Sequence, residues 1–171
     1  MANKQALLSE LLIVSRLRVD REKKYEKGFD GHKRVNGRKR HIVVDTLGMP
    51  LSVHVTAANV QDRDVLQVLC SKMQNRFPRM HSILADWGYE GRQNRTYLDF
   101  GWLLKITKRP RKKKGQKGTF QVIPKRWIVE RTFAWLGIFR RLAVDFEVTT
   151  KSAEAFIHIA AISIALNKLY E

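Results

Sequence analysis

The chain has 171 residues, 33 of them Lys or Arg against 16 Asp or Glu, for a formal net charge of +17. That length is one domain's worth, and 44% hydrophobic content excludes a disordered chain. The charge excess is beyond what solubility needs and points to a polyanion, nucleic acid first, while a single cysteine, Cys70, excludes an internal disulfide and fits a reducing cytoplasm.

The N-terminal stretch is the least regular. Leu7–Val14 is apolar but short and interrupted by Glu10, so it is not read as a secretory signal. Leu7, Leu8, Leu11 and Leu12 fit one side of a helix or the start of a strand. Arg16 to Lys27 is almost wholly charged and reads as a solvated arm, so residues 1–27 are expected to be irregular and 28–171 to form the domain. Gly28-Phe29-Asp30-Gly31 is a turn signal. Residues 38–45 and 51–57 read as an antiparallel hairpin around Asp45-Thr46-Leu47-Gly48, because Leu51 to Thr56 alternates apolar and polar.

Asp62 opens a helix expected to run to about Arg76. Val65, Leu66, Leu69, Met73 and Phe77 recur at helical spacing before Pro78. Ile83, Leu84 and Ala85 form a short buried strand that ends in Asp86, with Gly88 breaking the extended pattern. A short helix near Asn94–Phe100 and a strand from Trp102 to Thr107 follow. In residues 108–118, seven of eleven are Lys or Arg, among them Lys112, Lys113 and Lys114. Such a loop either stays solvated or neutralises a phosphate backbone. Pro124 suits the first turn of a helix reaching about Arg141, with Trp127, Glu130, Ala134 and Gly137 or Ile138 on one stripe. The last helix, Ser152 to Tyr170, reads as mostly core, with His158 a core histidine. Its apolar run Ala155–Leu166 is too short to span a bilayer.

Two carboxylates carry candidate chemistry. Asp86 stands at a strand end, where open α/β sheets bind ligands, and there it serves as a metal ligand or acid/base group, or else caps the next turn. Glu130 has apolar positions above and below it on its helix. A charge is expensive there unless it is paired, with Arg126 or Arg131, or holds a metal.

Five segments now stand in one order. They are Gly-Phe-Asp-Gly-His-Lys at 28–33, Gly-Arg-Lys-Arg-His-Ile-Val-Val-Asp-Thr-Leu-Gly at 37–48, Gln-Asp-Arg-Asp at 61–64, Ala-Asp-Trp-Gly-Tyr at 85–89 and Arg-Trp-Ile-Val-Glu-Arg-Thr-Phe-Ala-Trp-Leu at 126–136. Together they resemble the catalytic domain of bacterial insertion-sequence transposases of the DDE type, over residues 28–170. The resemblance implies an α/β fold of the RNase H-like, retroviral-integrase-like kind, a mixed sheet flanked by helices. It implies DNA cleavage and strand transfer with two Mg²⁺ (or Mn²⁺) ions about 4 Å apart. It makes Asp86 and Glu130 the second and third acidic residues of a triad and metal ligands, and Arg126 and Arg131 contacts to DNA. Its partner is DNA, the insertion-sequence ends and the target, met by a homo-oligomer at the bacterial nucleoid in the cytoplasm, with no membrane. The family's first aspartate ends the first strand, usually as Ile-Asp-Ser-Gln, upstream of the Gly-Phe-Asp segment. The matching place here reads Ile13-Val14-Ser15-Arg16, and valine binds no metal. Asp20 is close by in a charged stretch. The resemblance therefore also implies an incomplete first strand in a transposase remnant whose residues 1–27 are altered by truncation or a frameshift, with the alternative of a basic nucleic-acid-binding protein without catalysis or a nuclease of the same fold.

Overall fold

The ten-residue strand β1, Glu10–Val19, lies in the middle of a single mixed sheet. The computed structural model describes residues 10–19, 26–31, 33–107 and 125–170, the first stretch as strand backbone. On one side β1 pairs antiparallel with β3, Val35–Val44, from Leu12 opposite Val44 to Val19 opposite Gly37. On the other it pairs in parallel with β5, Ser82–Asp86, from Glu10 beside Ser82 to Ile13 beside Ala85. β6, Leu103–Thr107, continues the parallel half as its outer strand. β4, Pro50–Ala57, and the short β2, Gly28–Asp30, both pair antiparallel with β3.

One expectation is corrected here. Arg16 to Val19 is strand and not solvated arm, and Glu10–Val19 is paired on both sides. Charge does not prevent this, because a strand inside a sheet is held by the backbone bonds of two neighbours, whatever its side chains carry. The Gly28–Gly31 turn signal resolves into β2, with the turn itself after Asp30.

Alternation along the strands sorts the helices into two layers. Val43, Ile83 and Ala85 face α1, Asp62–Met73, through Val65, Leu66, Leu69 and Met73. α2, Gln93–Phe100, packs beside α1 on the same side. Ile42, Val44, Val53 and Val55 face the opposite layer with Leu84. That layer holds α3, Arg126–Ile138, α4, Arg140–Ala143, and α5, Thr150–Leu169. α1 stops three residues before Arg76, since Gln74 turns extended and Asn75 takes φ 64°. The helix expected to reach Arg141 is broken at Phe139, whose backbone is extended.

α5 is corrected as well. Only Ala153, Ile157 and Ala160 are buried, whereas Ile159, Ile162, Leu166 and Leu169 are exposed, and so is His158. A helix apolar on all sides does not announce which stripe meets the core. By length and composition alone α5 would suffice to cross a membrane. In this fold it is fastened to the sheet instead. Glu154 accepts from the Val55 amide at 2.9 Å, and pairs at 2.7 Å with His54 Nδ1 and with Lys72 Nζ.

Part of the positive charge is internal. Arg38 is fully buried and donates to the carbonyls of Glu147 and Val148 at 2.8 and 2.7 Å, with Asp145 at 3.6 Å. Arg40, also buried, donates to the Leu142 carbonyl at 2.7 Å. What reads along the chain as a basic start to a strand is thus in part a set of donors for loop carbonyls.

The same region sets the acid limit. Burial holds His41 well below its ordinary range, at about 4; neighbouring Asp62 opposes this, and His54 and Lys39 add to it. A base with a lowered folded pKa is bound less by protons in the native than in the unfolded chain, so stability falls as pH drops from 6.5 towards 4. Burial would raise Glu154, but hydrogen bonds from His54, Lys72 and the Val55 amide outweigh it and leave the group at about 2. Its contribution is complete above 4.5 and drains between there and about 2. The urea midpoint is expected to fall in both windows, and His41→Gln should flatten the upper one alone. A midpoint flat from pH 6.5 to 4 in the native chain would show that His41 is not held neutral.

Candidate active site

Asp86 is the last residue of β5 and is exposed. Two-residue alternation places it on the face of Leu84, the face covered by α3, and away from the Ile83 and Ala85 face. Its Oδ1 accepts from the Gly88 amide at 3.0 Å, capping the short 3-10 turn Trp87–Tyr89. Cap and candidate ligand are therefore the same carboxylate.

Glu130 lies on α3, which packs on β1. The buried side of α3 is Ile128, Val129, Thr132, Phe133 and Leu136, so Glu130 falls on the helix flank and is exposed. The apolar setting read from the spacing is corrected, because Trp127, Ala134 and Ile138, the apolar positions above and below Glu130, are themselves exposed. Arg126 Nε pairs with Glu130 Oε1 at 3.2 Å, an exposed i,i+4 pair. Such pairs contribute about 0.3–0.5 kcal/mol, so this one does not hold the helix in place.

The strand register adds the third position. Ile13 is beside Ala85, and one further step along both strands sets residue 14 beside Asp86. Residue 14 is also paired with Ile42, which packs into the α3 layer. Of these three positions, 86 and 130 carry a carboxylate and 14 carries valine. Among the described residues no cluster of three or more His, Cys, Asp or Glu could hold a metal. A pair of metal ions bridged by carboxylates needs donors converging from several elements. Asp20 and Lys112, Lys113 and Lys114 lie outside the described residues.

Arg126 is exposed at the start of α3. Arg131 is engaged. Its guanidinium lies 4.6 Å from the rings of both Trp127 and Trp135, and Nη2 donates to the Leu47 carbonyl at 2.9 Å. Thr132 Oγ1 donates to the Gly48 carbonyl at 2.8 Å. Gly48 has φ 84°, and a Cβ there would meet Thr132 Oγ1 at 2.9 Å. These contacts clamp the β3–β4 turn onto α3. The signal was present in the sequence as Trp, Arg and Trp at four-residue steps, the spacing that stacks side chains along a helix.

Asp45 and Asp30 are accounted for structurally. Asp45 Oδ1 accepts from the amides of Leu47 and Met49 within the turn, and burial raises its pKa against those bonds. Asp30 accepts from the Lys33 amide and pairs with Lys39 at 3.6 Å.

The transposase DDE domain family matches residues 14–167. Over 141 residues the chain is 35% identical to a Burkholderia cepacia protein whose name assigns it as transposase for the insertion sequence element IS402. That match covers 78% of this chain and 64% of the relative, so the chain spans less than two thirds of the relative's length.

Proposed function

Because the chain belongs to the DDE-domain transposase family, we propose that it binds insertion-sequence DNA as a transposase does and lacks the carboxylate set for cutting it. The observation that supports this is the register of Ile13 beside Ala85: the next residue, where the resemblance expects the first aspartate, is Val14. The order β4-β3-β1-β5-β6, with β1 parallel to β5 and antiparallel to β3, supports an RNase H-like reading of the fold.

In this reading Asp86 and Glu130 keep their places in the site, and no cleavage step is derived for them. Binding belongs to the cations. Arg126 and the Lys112, Lys113 and Lys114 loop meet phosphate, each contact releasing counterions. Arg131, stacked and bonded to the hairpin, presents a fixed positive charge on α3. DNA affinity is expected to fall steeply with salt. Replacing Lys112, Lys113 and Lys114 together with Ala should weaken binding and flatten the salt slope by about three units at most. A salt titration that gives the variant the native slope would remove the loop from the interface.

A further inference from the structure

α5 carries two apolar stripes on opposite faces. Ala153, Ile157 and Ala160 are buried, and Ile164 packs partly buried against the same core. Ala155, Ile159, Ile162, Leu166 and Leu169 form the other stripe, and all five are exposed. The four larger side chains keep 59%, 59%, 48% and 79% of their surface in solvent. At about 100° of turn per residue the two stripes lie about 170° apart around the axis. The outward side of an ordinary surface helix is polar, so the outer stripe of α5 serves nothing within one copy of the chain.

The exposed positions step by four, three, four and three residues. That is the spacing of a left-handed coiled-coil seam, which a second helix fills by setting knobs into holes. An extended peptide would match a period of two. A helix lying on a membrane needs a polar face opposite its apolar one, and here the opposite face is in the core. The occupant that fits is a helix.

Charge indicates which helix. Two copies of a +17 chain repel each other over most of their surfaces. The positions flanking the outer stripe are Phe156, His158, Ser163, Ala165 and Tyr170, with no Lys, Arg, Asp or Glu among them. Lys168 is turned onto the Trp135 ring at 3.9 Å, and Glu154 is held by His54 and Lys72. Neither phosphate nor an acidic helix finds a counter-ion along this stripe, whereas a like-charged copy meets no repulsion there. An uncharged apolar stripe is also its own complement across a two-fold axis.

We infer that the outer stripe of α5 is a dimer seam, filled by α5 of a second copy of this chain. From Ala155 to Leu169 the seam is about 21 Å long and about 10 Å wide. That is small beside the roughly 800 Å² each partner gives to a standard interface, so pairing is expected in the micromolar range. The inference does not depend on the DNA-binding reading, and its test contains no DNA.

Sedimentation equilibrium of the full chain, freed of nucleic acid, is the test. At about 0.5 M salt, charges are screened within a few ångströms, and monomer and dimer are expected to exchange as chain concentration rises. Ile162→Lys sets a cation in the middle of the seam from both copies and should weaken the dimer about a hundredfold. Ile162→Ala, which adds no charge, should weaken it about tenfold. Ile162 lies outside the monomer core, so the urea midpoint of either variant, read on dilute monomer, should match the native one. Leu98→Lys, on α2 and also exposed, adds the same charge off the seam and should leave the dimer within about twofold. A native chain that stays monomeric up to about 200 μM, a dimer indifferent to both Ile162 variants, or a dimer weakened as much by Leu98→Lys overturns the inference.

Discussion

The native chain is expected to bind a terminal-repeat duplex and leave both strands intact in Mg²⁺ or Mn²⁺, and Val14→Asp is expected to bring nicking. Phosphodiester cleavage by this class of site needs carboxylates that hold ions on both the attacking and the leaving oxygen. Asp86 ends β5 and Glu130 stands on the exposed flank of α3, and the position next after Ile13 carries valine where the proposed site needs a third carboxylate. Because β1 runs in register with β5 up to Ile13 beside Ala85, the single substitution is expected to put a carboxylate near Asp86 without rebuilding residues 1–27. It also gives a readout that does not depend on cleavage. A second carboxylate next to Asp86 repels it in metal-free buffer, so the variant should be less stable than the native chain. Mn²⁺ should then raise its melting temperature, by binding the folded form, more than it raises the native one. Robust nicking by the native chain that disappears with Asp86→Ala would show that another carboxylate, Asp20 first, fills the role, and the reading would fall.

Arg38→Met is expected to be among the most destabilising substitutions in the chain, at about 3–5 kcal/mol. Arg38 has no exposed side-chain surface, and its guanidinium serves the carbonyls of Glu147 and Val148 and lies 3.6 Å from Asp145, also buried. Methionine matches the stem but leaves a buried carboxylate without its cation and two carbonyls without their donor, the situation in which breaking a buried pair costs most. The urea midpoint should fall by more than about 1 M. Adding Asp145→Asn to the variant should recover part of the loss by removing the stranded charge. A change within about 0.5 kcal/mol, typical of surface substitutions, would mean that Arg38 is not holding the segment before α5.

The sequence carried the hairpin, α1, the strand to Asp86 and the last helix, because each shows its own period within a few residues. Asp86 was legible for the same reason, as an apolar run that stops at a carboxylate. Residues 10–19 were not, although Arg16-Leu17-Arg18-Val19 alternates as a strand does; a run of charge outweighed a short alternation. The burial of Arg38 and Arg40 was out of reach, since their partners at Leu142, Glu147 and Val148 lie more than 100 residues away. The exposed stripe of α5 was hidden by its uniform apolarity. The flank position of Glu130 depends on which side of α3 meets β1, and helical spacing offers both sides equally. The clamp between Arg131 and the Leu47 carbonyl joins residues 84 apart, so only its helical half was visible.

The central place of β1 bears on how the chain reaches this fold. The strand order joins the antiparallel half, β2 to β4, to the parallel half, β5 and β6, through β1 alone. β1 precedes both its partners in the chain, so as the polypeptide is synthesised it waits for Val35–Val44 on one side and for Ser82–Ala85 on the other. The β3–β4 hairpin is local and closes in microseconds, whereas seating β1 against β5 closes a loop of about seventy residues. Until that happens β1 and β5 each present an open edge, and an open edge pairs as readily with a neighbouring chain as with its own. The chain's exposure to aggregation is therefore concentrated in the interval before its earliest strand is placed.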